Sequence, residues 1–287
     1  MNNKLVLNIE KQLLHLTKKK FSKIYINKNI IPIINYIACS KNNKFLLAGS
    51  QGIGKSTLVD IIKKNIKTFY NKRVLTLSLD DYYLSRKKRC ILSNKIHPLL
   101  ITRGVPGTHD IKKLITQIKQ FDKSKYPIYV PVFDKLIDDT VPQTRKEKAK
   151  ADILILEGWC CGSSHVKNKF LFKNLNNLER KKDNKGIWRK YYNKKLKSEY
   201  RDLYKMFDHT IFLKAPSFKY ILNWRMKQEK MIQSNSKIYK RMSRHNIIDF
   251  IEHYEKITKW MFKTLVNKAD IVLKVNKKQQ IKSINYN

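Results

Sequence analysis

The chain has 287 residues and carries 62 Lys and Arg against 22 Asp and Glu, a net charge of +40, with 42% hydrophobic residues. That apolar share supports a packed core and excludes a disordered chain, and no apolar run reaches the roughly 18 residues of a membrane helix. The charge does not by itself indicate nucleic acid: only 11 of the basic residues are arginine, the better reader of phosphates and base edges, and the lysines are spread along the whole chain. No specific nucleic-acid or membrane partner is therefore expected. The four cysteines form no metal or disulfide spacing, and the first residues lack the apolar block of a secretory signal, so the expected setting is a reducing cytoplasm.

Residues 1–43 read as a helical segment, with an extended "NIIPII" (29–34) before the first strand. "KFLLAG" (44–49) is a short apolar strand, and "STLVDIIKKNIKTF" (56–69) places Leu58, Ile61, Ile62 and Ile66 at helical spacing. Between them, "GSQGIGKST" (49–57) fits G-x-x-x-x-G-K-[ST]. Gly49, Ser50, Gln51, Gly52, Ile53, Gly54, Lys55, Ser56 and Thr57 are thus expected to wrap a nucleotide triphosphate. Backbone N–H groups turn toward the β-phosphate, Lys55 neutralises the β- and γ-phosphates, and the Ser56 hydroxyl binds Mg²⁺.

"RVLTLSLDDYY" (73–83) is a second apolar strand, ending in Asp80 and Asp81. A helix is expected over 110–121, and "PIYVPVFD" (127–134), with two prolines, reads as an edge or loop. "ADILILEG" (151–158) is a third core strand ending in Glu157, and 162–205 is a polar insertion. "HTIFLKAP" (209–216) and "ADIVLKV" (269–275) are two more strands. Between them Ile247, Phe250, Ile251, Tyr254, Ile257, Met261 and Leu265 mark one face of a long helix. Strands alternating with helices imply an α/β fold with a parallel sheet.

Ligands of such sheets bind beyond the carboxyl ends of the strands, where Asp80, Asp81 and Glu157 lie. Glu157 suits the Mg²⁺ shell. Asp80 suits the proton of an acceptor hydroxyl, so Lys55 and Asp80 are the expected catalytic pair.

The motifs carry a resemblance. "LSLDDYYL" after the phosphate loop resembles the phosphoribulokinase, uridine kinase and pantothenate kinase group. "PLLITRGVPGTHDI" (98–111), "VPVFDKLIDD" (130–139), "LILEGWCCG" (154–162) and "LKAPSFKYILNWRMKQE" (213–229) together resemble D-glycerate 3-kinase and its relatives. The resemblance runs over roughly residues 40 to 275. It implies one P-loop kinase domain with a five-stranded parallel sheet, helices on both faces and a mobile lid, with ATP and Mg²⁺ as cosubstrates. It also implies an acceptor pocket built from Arg103, Gly104, His109 and Asp110, faced by Phe133, Asp134 and Lys135; Asp81 and Tyr83, after the second strand, are further candidates for substrate contact. An arginine common after the paired acids of the "FDK…DD" segment is replaced here by Thr140, and Arg145 is the nearest substitute.

The expected organisation is a helical segment 1–43, a kinase domain 44–277 with a lid at about 225–246, and a tail 278–287. Arg225, Arg241 and Arg244 are the lid's candidates for phosphate contact. The expected function is transfer of the ATP γ-phosphate to a hydroxyl, D-glycerate first, by a monomer. The alternatives are another small alcohol (pantothenate-, uridine- or ribulose-phosphate-like) or a nucleotide-dependent regulatory or nucleic-acid-associated ATPase.

Overall fold

The computed structural model describes residues 2–235 and 243–287. Three helices open the chain: α1 (Asn2–Thr17), α2 (Lys23–Asn29) and α3 (Ile31–Cys39). The "NIIPII" stretch is therefore helical where an extended segment was expected. Pro32 sits in the first turn of α3, where its missing N–H has no intrahelical partner to lose.

The strands β1 (Lys44–Gly49), β2 (Val74–Ser78), β5 (Ile153–Gly158), β6 (His209–Lys214), β7 (Ile271–Val275) and β8 (Ile281–Tyr286) form one sheet, in the order β2-β5-β1-β6-β7-β8. The five expected strands run parallel, and β8 adds an antiparallel edge on β7. Residues 281–286, expected as tail, pair in the sheet. The remaining strands, β3 (Ile128–Asp134) and β4 (Asp139–Glu147), make a separate hairpin.

Continuous apolar runs are what a sheet covered on both faces requires. In β1, Phe45 and Leu47 join one core with α1, α3 and the phosphate-loop helix α4 (Lys55–Tyr70). Leu46 and Ala48 join the other, with α6 (Ile111–Asp122) and residues of the insertion. The helix between these two, α5 (Arg86–Lys95), lies beside the hairpin's turn through Arg89.

The insertion holds four short helices, α7 (Asn168–Leu171), α8 (Asn177–Lys182), α9 (Ile187–Lys195) and α10 (Arg201–Tyr204). Polar as it is, it buries Leu171, Leu178, Trp188, Tyr192 and Leu203 in the second core. Two more helices, α11 (Phe218–Asn235) and α12 (Arg244–Thr264), lie between β6 and β7. Lys256 of α12 pins the insertion, pairing with Glu179 at 3.2 Å and donating to the Phe170 carbonyl at 3.0 Å. Arg189, fully buried, donates to Asp183 at 2.8 Å and to Asn174 at 2.8 Å. Among the described residues no helix is long and apolar enough to cross a membrane.

Removing one partner of a buried ion pair leaves the other charge uncompensated, so Arg189→Ala should cost roughly 3–5 kcal/mol of stability. Urea denaturation measures it. A loss below about 1 kcal/mol would show that Asp183 is satisfied without the guanidinium.

Candidate active site

Strand register assembles the site. Glu157 pairs with Leu47 of β1 on one side and with Ser78 of β2 on the other. The last residues of β5 and β2 and the start of the phosphate loop therefore stand side by side. One oxygen of Glu157, a residue only 9% exposed, accepts from Ser56 Oγ at 2.9 Å and from Ser78 Oγ at 3.0 Å. Hydroxyl and carboxylate oxygens are the ligands a hard cation takes, and Mg²⁺ uses one or two carboxylates together with substrate phosphates.

The loop turns at Gly52 (φ +69°) and Gly54 (φ +103°), a conformation that costs glycine nothing. Gly54 precedes α4, so the first N–H groups of that helix open toward the loop. Lys55 Nζ is folded onto the Ser50 carbonyl at 3.2 Å. The buried Ser50 Oγ and Gln51 Oε1 have no hydrogen-bond partner. Beside a cation and a helix N-terminus, the Ser50 hydroxyl can donate to a phosphate oxygen, whereas Gln51 Oε1 can only accept.

These residues border a cleft of about 430 Å³. Gln51, Gly52, Gly54, Lys55, Ser56 and Thr57 form its floor, and Asp80, Asp81 and Glu157 stand on the strand side. Arg103, Lys135 and Arg225 add three more cations. Gly49 and Ile53 lie just behind: a Cβ on Gly49 would sit 3.0 Å from Ile53 Cγ2, and Ile53 is buried in the core.

Both oxygens of Asp80 are held, one by Tyr83 OH at 2.8 Å and the other by Lys135 Nζ at 2.7 Å. Burial alone would raise its pKa. The charge and hydrogen bond of Lys135, the charge of Lys55 and the Tyr83 hydroxyl outweigh it and hold the carboxyl well below the usual range. Asp81 goes the other way. Burial and the neighbouring Asp80 charge push it up to about 6.

Arg103 is set by three contacts. Its guanidinium pairs with Asp138 and lies 5.5 Å from the Phe133 ring centre, and its carbonyl accepts from Tyr254 OH at 2.9 Å. Asp138 also binds the buried Arg89 at 3.0 Å, tying the hairpin turn to α5. The next residue must be glycine. A Cβ on Gly104 (φ +128°) would fall 2.2 Å from Tyr254 OH.

Three residues expected in the acceptor pocket are turned away from the cleft. His109 is buried behind Tyr83, stacked on its ring at 4.6 Å and bonded to Tyr200 OH at 2.6 Å. Burial drives its pKa down to about 3, so it is a neutral support for Tyr83. Asp110 caps α6, accepting from Lys113 N at 3.0 Å, and borders a second cleft with Asp81 and Tyr83. Asp134 accepts from Leu136 N at 2.7 Å within the hairpin turn. Arg145 does not replace the missing arginine at the cleft: it is bound to Glu147 and to the Thr76 carbonyl at 2.6 Å.

In the lid stretch, Arg225 reaches the cleft and lies 5.3 Å from the Phe250 ring centre. Arg244 is exposed at the start of α12. Arg241 and positions 236–242 of the lid lie outside the described residues.

Sequence reasoning missed Ser78, Trp159, Phe250 and Tyr254, all on the cleft wall. Trp159 follows the end of β5, a position that marks it. Phe250 and Tyr254 lie on the apolar stripe of α12, and a stripe does not say which part of it faces a cleft.

The α/β fold, with its mostly parallel sheet, matches that of solved P-loop kinases. Over 100% of this chain and 99% of the other, it superposes on D-glycerate 3-kinase from Cryptococcus neoformans var. grubii with TM-score 0.70 and 21% identity. The chain is 29% identical, over 78% of its length and 83% of the relative's, to the uncharacterized kinase mug58 of Schizosaccharomyces pombe. It is 33% identical to the probable ATP-dependent kinase TDA10 of Saccharomyces cerevisiae, over 42% of this chain and 46% of that one. No protein-family model matches the chain. The kinase relatives support a phosphotransferase with P-loop nucleotide binding, and imply use of ATP.

The raised pKa of Asp81 has a consequence for stability. The folded state holds its proton more tightly than the unfolded state. Stability from this group is full below the unfolded pKa and is lost as pH rises through about 6. Asp81→Asn should therefore raise Tm at pH 7.5, and the gap from wild type should narrow toward pH 4. A gap that does not change with pH would show that Asp81 titrates normally.

Proposed function

We propose that this protein is an ATP- and Mg²⁺-dependent kinase that phosphorylates a hydroxyl of a small hydroxy acid, with D-glycerate the first choice. The observation that carries the reading is Asp80: a carboxylate in the turn just after β2, held by Lys135 and facing the same cleft as the phosphate loop and Arg103. A hydrolase acting on water has less use for a carboxylate aimed at an acceptor, whereas a kinase needs one to orient or deprotonate the hydroxyl.

The parts divide the work. Gly52, Gly54 and the start of α4 cradle the phosphates, and Lys55 moves from the Ser50 carbonyl to the transferring group. Ser56 and Glu157 would hold Mg²⁺, which would supply charge neutralisation for the phosphates. Asp80 receives the acceptor hydroxyl. Its low pKa suits a loose transition state, in which the nucleophile needs direction more than full deprotonation. Arg103 keeps N–H donors beyond those on Asp138 and offers them to the acceptor's carboxylate. Tyr83 and Lys135 shape the pocket between the two. Arg225 brings a further cation from α11. D-glycerate is favoured because it joins a carboxylate to hydroxyls, matching Arg103 and Asp80, and because a solved D-glycerate 3-kinase shares the fold along its whole length.

A coupled ADP assay with D-glycerate, pantothenate, uridine and ribulose 5-phosphate tests the reading. D-glycerate should give the highest acceptor-dependent rate. Lys55→Ala should abolish turnover. Asp80→Asn should lower kcat by about 10²–10⁴, the weight of general-base catalysis, with little change in ATP affinity. ADP release at the acceptor-free rate with every compound would sink the small-alcohol assignment. Near wild-type turnover in the Asp80 variant would remove it as base.

A further inference from the structure

The turn between β7 and β8 reaches the phosphate loop from the far end of the chain. Gln279 Nε2 donates a hydrogen bond to the carbonyl oxygen of Gly52. Gln279 has φ +66°, a left-handed conformation that non-glycine residues adopt uncommonly. The turn is built to keep it there. Asn276 Oδ1 accepts from Lys278 N at 2.8 Å and Gln280 N at 3.0 Å, and Asn276 N donates to the Gln280 carbonyl at 2.8 Å. Tyr25 OH accepts from Ile281 N at 2.8 Å, and Trp224 Nε1 donates to the Lys277 carbonyl at 3.2 Å. Trp224 is buried, and the next residue, Arg225, stands on the cleft wall. One turn thus clasps both the loop and the helix that border the cleft.

The bonded atom matters. A phosphate cradle works through N–H donors, and a carbonyl turned inward would repel the ligand. In a planar trans peptide the carbonyl of Gly52 and the N–H of Ile53 point to opposite sides. Holding the carbonyl against Gln279 therefore aims the Ile53 N–H into the loop, where it makes only a long 3.4 Å bond to the Ser50 carbonyl. That donor is available to a phosphate.

We infer that Gln279 is a positioning residue for nucleotide binding: by fixing the Gly52–Ile53 peptide, it presents an N–H donor to the phosphates. The inference rests on the phosphate loop holding a nucleotide.

The test measures ADP and ATP affinity by titration calorimetry, and Tm without ligand, for Gln279→Ala, Gln279→Gly and Gln279→Glu, with Lys55→Ala as control. Loss of one hydrogen bond should weaken ADP about three- to tenfold in the Ala and Gly variants. The Glu variant should lose more, because a carboxylate then faces the Gly52 carbonyl. Glycine also relieves the left-handed backbone, so the Gly variant should keep or raise Tm while losing affinity, and acceptor KM should not move. Wild-type ADP affinity in the Gly and Glu variants would overturn the inference. So would affinity that falls only where Tm falls. If Lys55→Ala also leaves ADP affinity unchanged, the phosphate-loop reading fails with it. If Lys55→Ala weakens ADP and the Gln279 variants do not, only the role of Gln279 is lost.

Discussion

Glu157 accepts hydrogen bonds from Ser56 and Ser78 through one oxygen, at the point where β5 lies between β1 and β2. A carboxylate so little exposed loses most of its hydration and is tolerated because fixed donors replace the water. Those donors come from the first turn of α4 and the end of β2. The same contacts therefore hold the phosphate loop, the strand that leads to Asp80 and the proposed metal position in one arrangement. Parallel pairing sets this up: with a period of two, a one-residue slip of β5 would turn Glu157 to the other face.

A second layer of contacts builds the opposite wall. The loop from Arg103 to His109 is locked against the segment after β2: Asp110 N donates to the Tyr82 carbonyl at 2.7 Å, and Leu84 N to the Thr108 carbonyl at 2.8 Å. Inside the loop, Thr108 Oγ1 bonds the Val105 carbonyl and the Gly104 N–H. This brings Tyr83 beside Asp80 and Arg103 beside Tyr254. His109 and Tyr200 back Tyr83 from the core, and Asp138 restrains Arg103 through the hairpin turn. That side of the cleft is thus preorganised by groups that do not themselves line it.

Charge in the cleft is local and mixed, unlike the general lysine excess of the surface. Lys55, Arg103, Lys135 and Arg225 share the cleft lining with Asp80, Asp81 and Glu157, and Lys135 pairs with Asp80 at 2.7 Å. Opposite charges hold the Asp80 carboxyl below its usual range against burial, while burial and then the like charge of Asp80 raise Asp81. Two adjacent carboxylates are thereby driven to different protonation behaviour by their surroundings alone.

What the sequence by itself determined was local. The strand–loop–helix pattern, the fixed spacing of Gly49, Gly54, Lys55 and Ser56, the carboxylates just after β2 and at the end of β5, and the apolar stripe of α12 all lie within a few residues of chain. They specified the α/β class, the parallel sheet and the phosphate-loop floor of the cleft. Tertiary structure decided the rest. Pro32 is compatible with an extended chain or a first helical turn, and packing of Ile31, Ile33, Ile34 and Ile37 into the core selected the helix. Residues 281–286 have no strand signal apart from the β7 edge they pair with. His109, Asp110 and Asp134 are polar residues near the site whose partners, Tyr200, the α6 N-terminus and the hairpin turn, draw them away from it. Tyr254 reaches Arg103 across 151 residues and Gln279 reaches Gly52 across 227. Contacts of that range depend on how helices and strands pack, which periodicity and motif spacing do not encode.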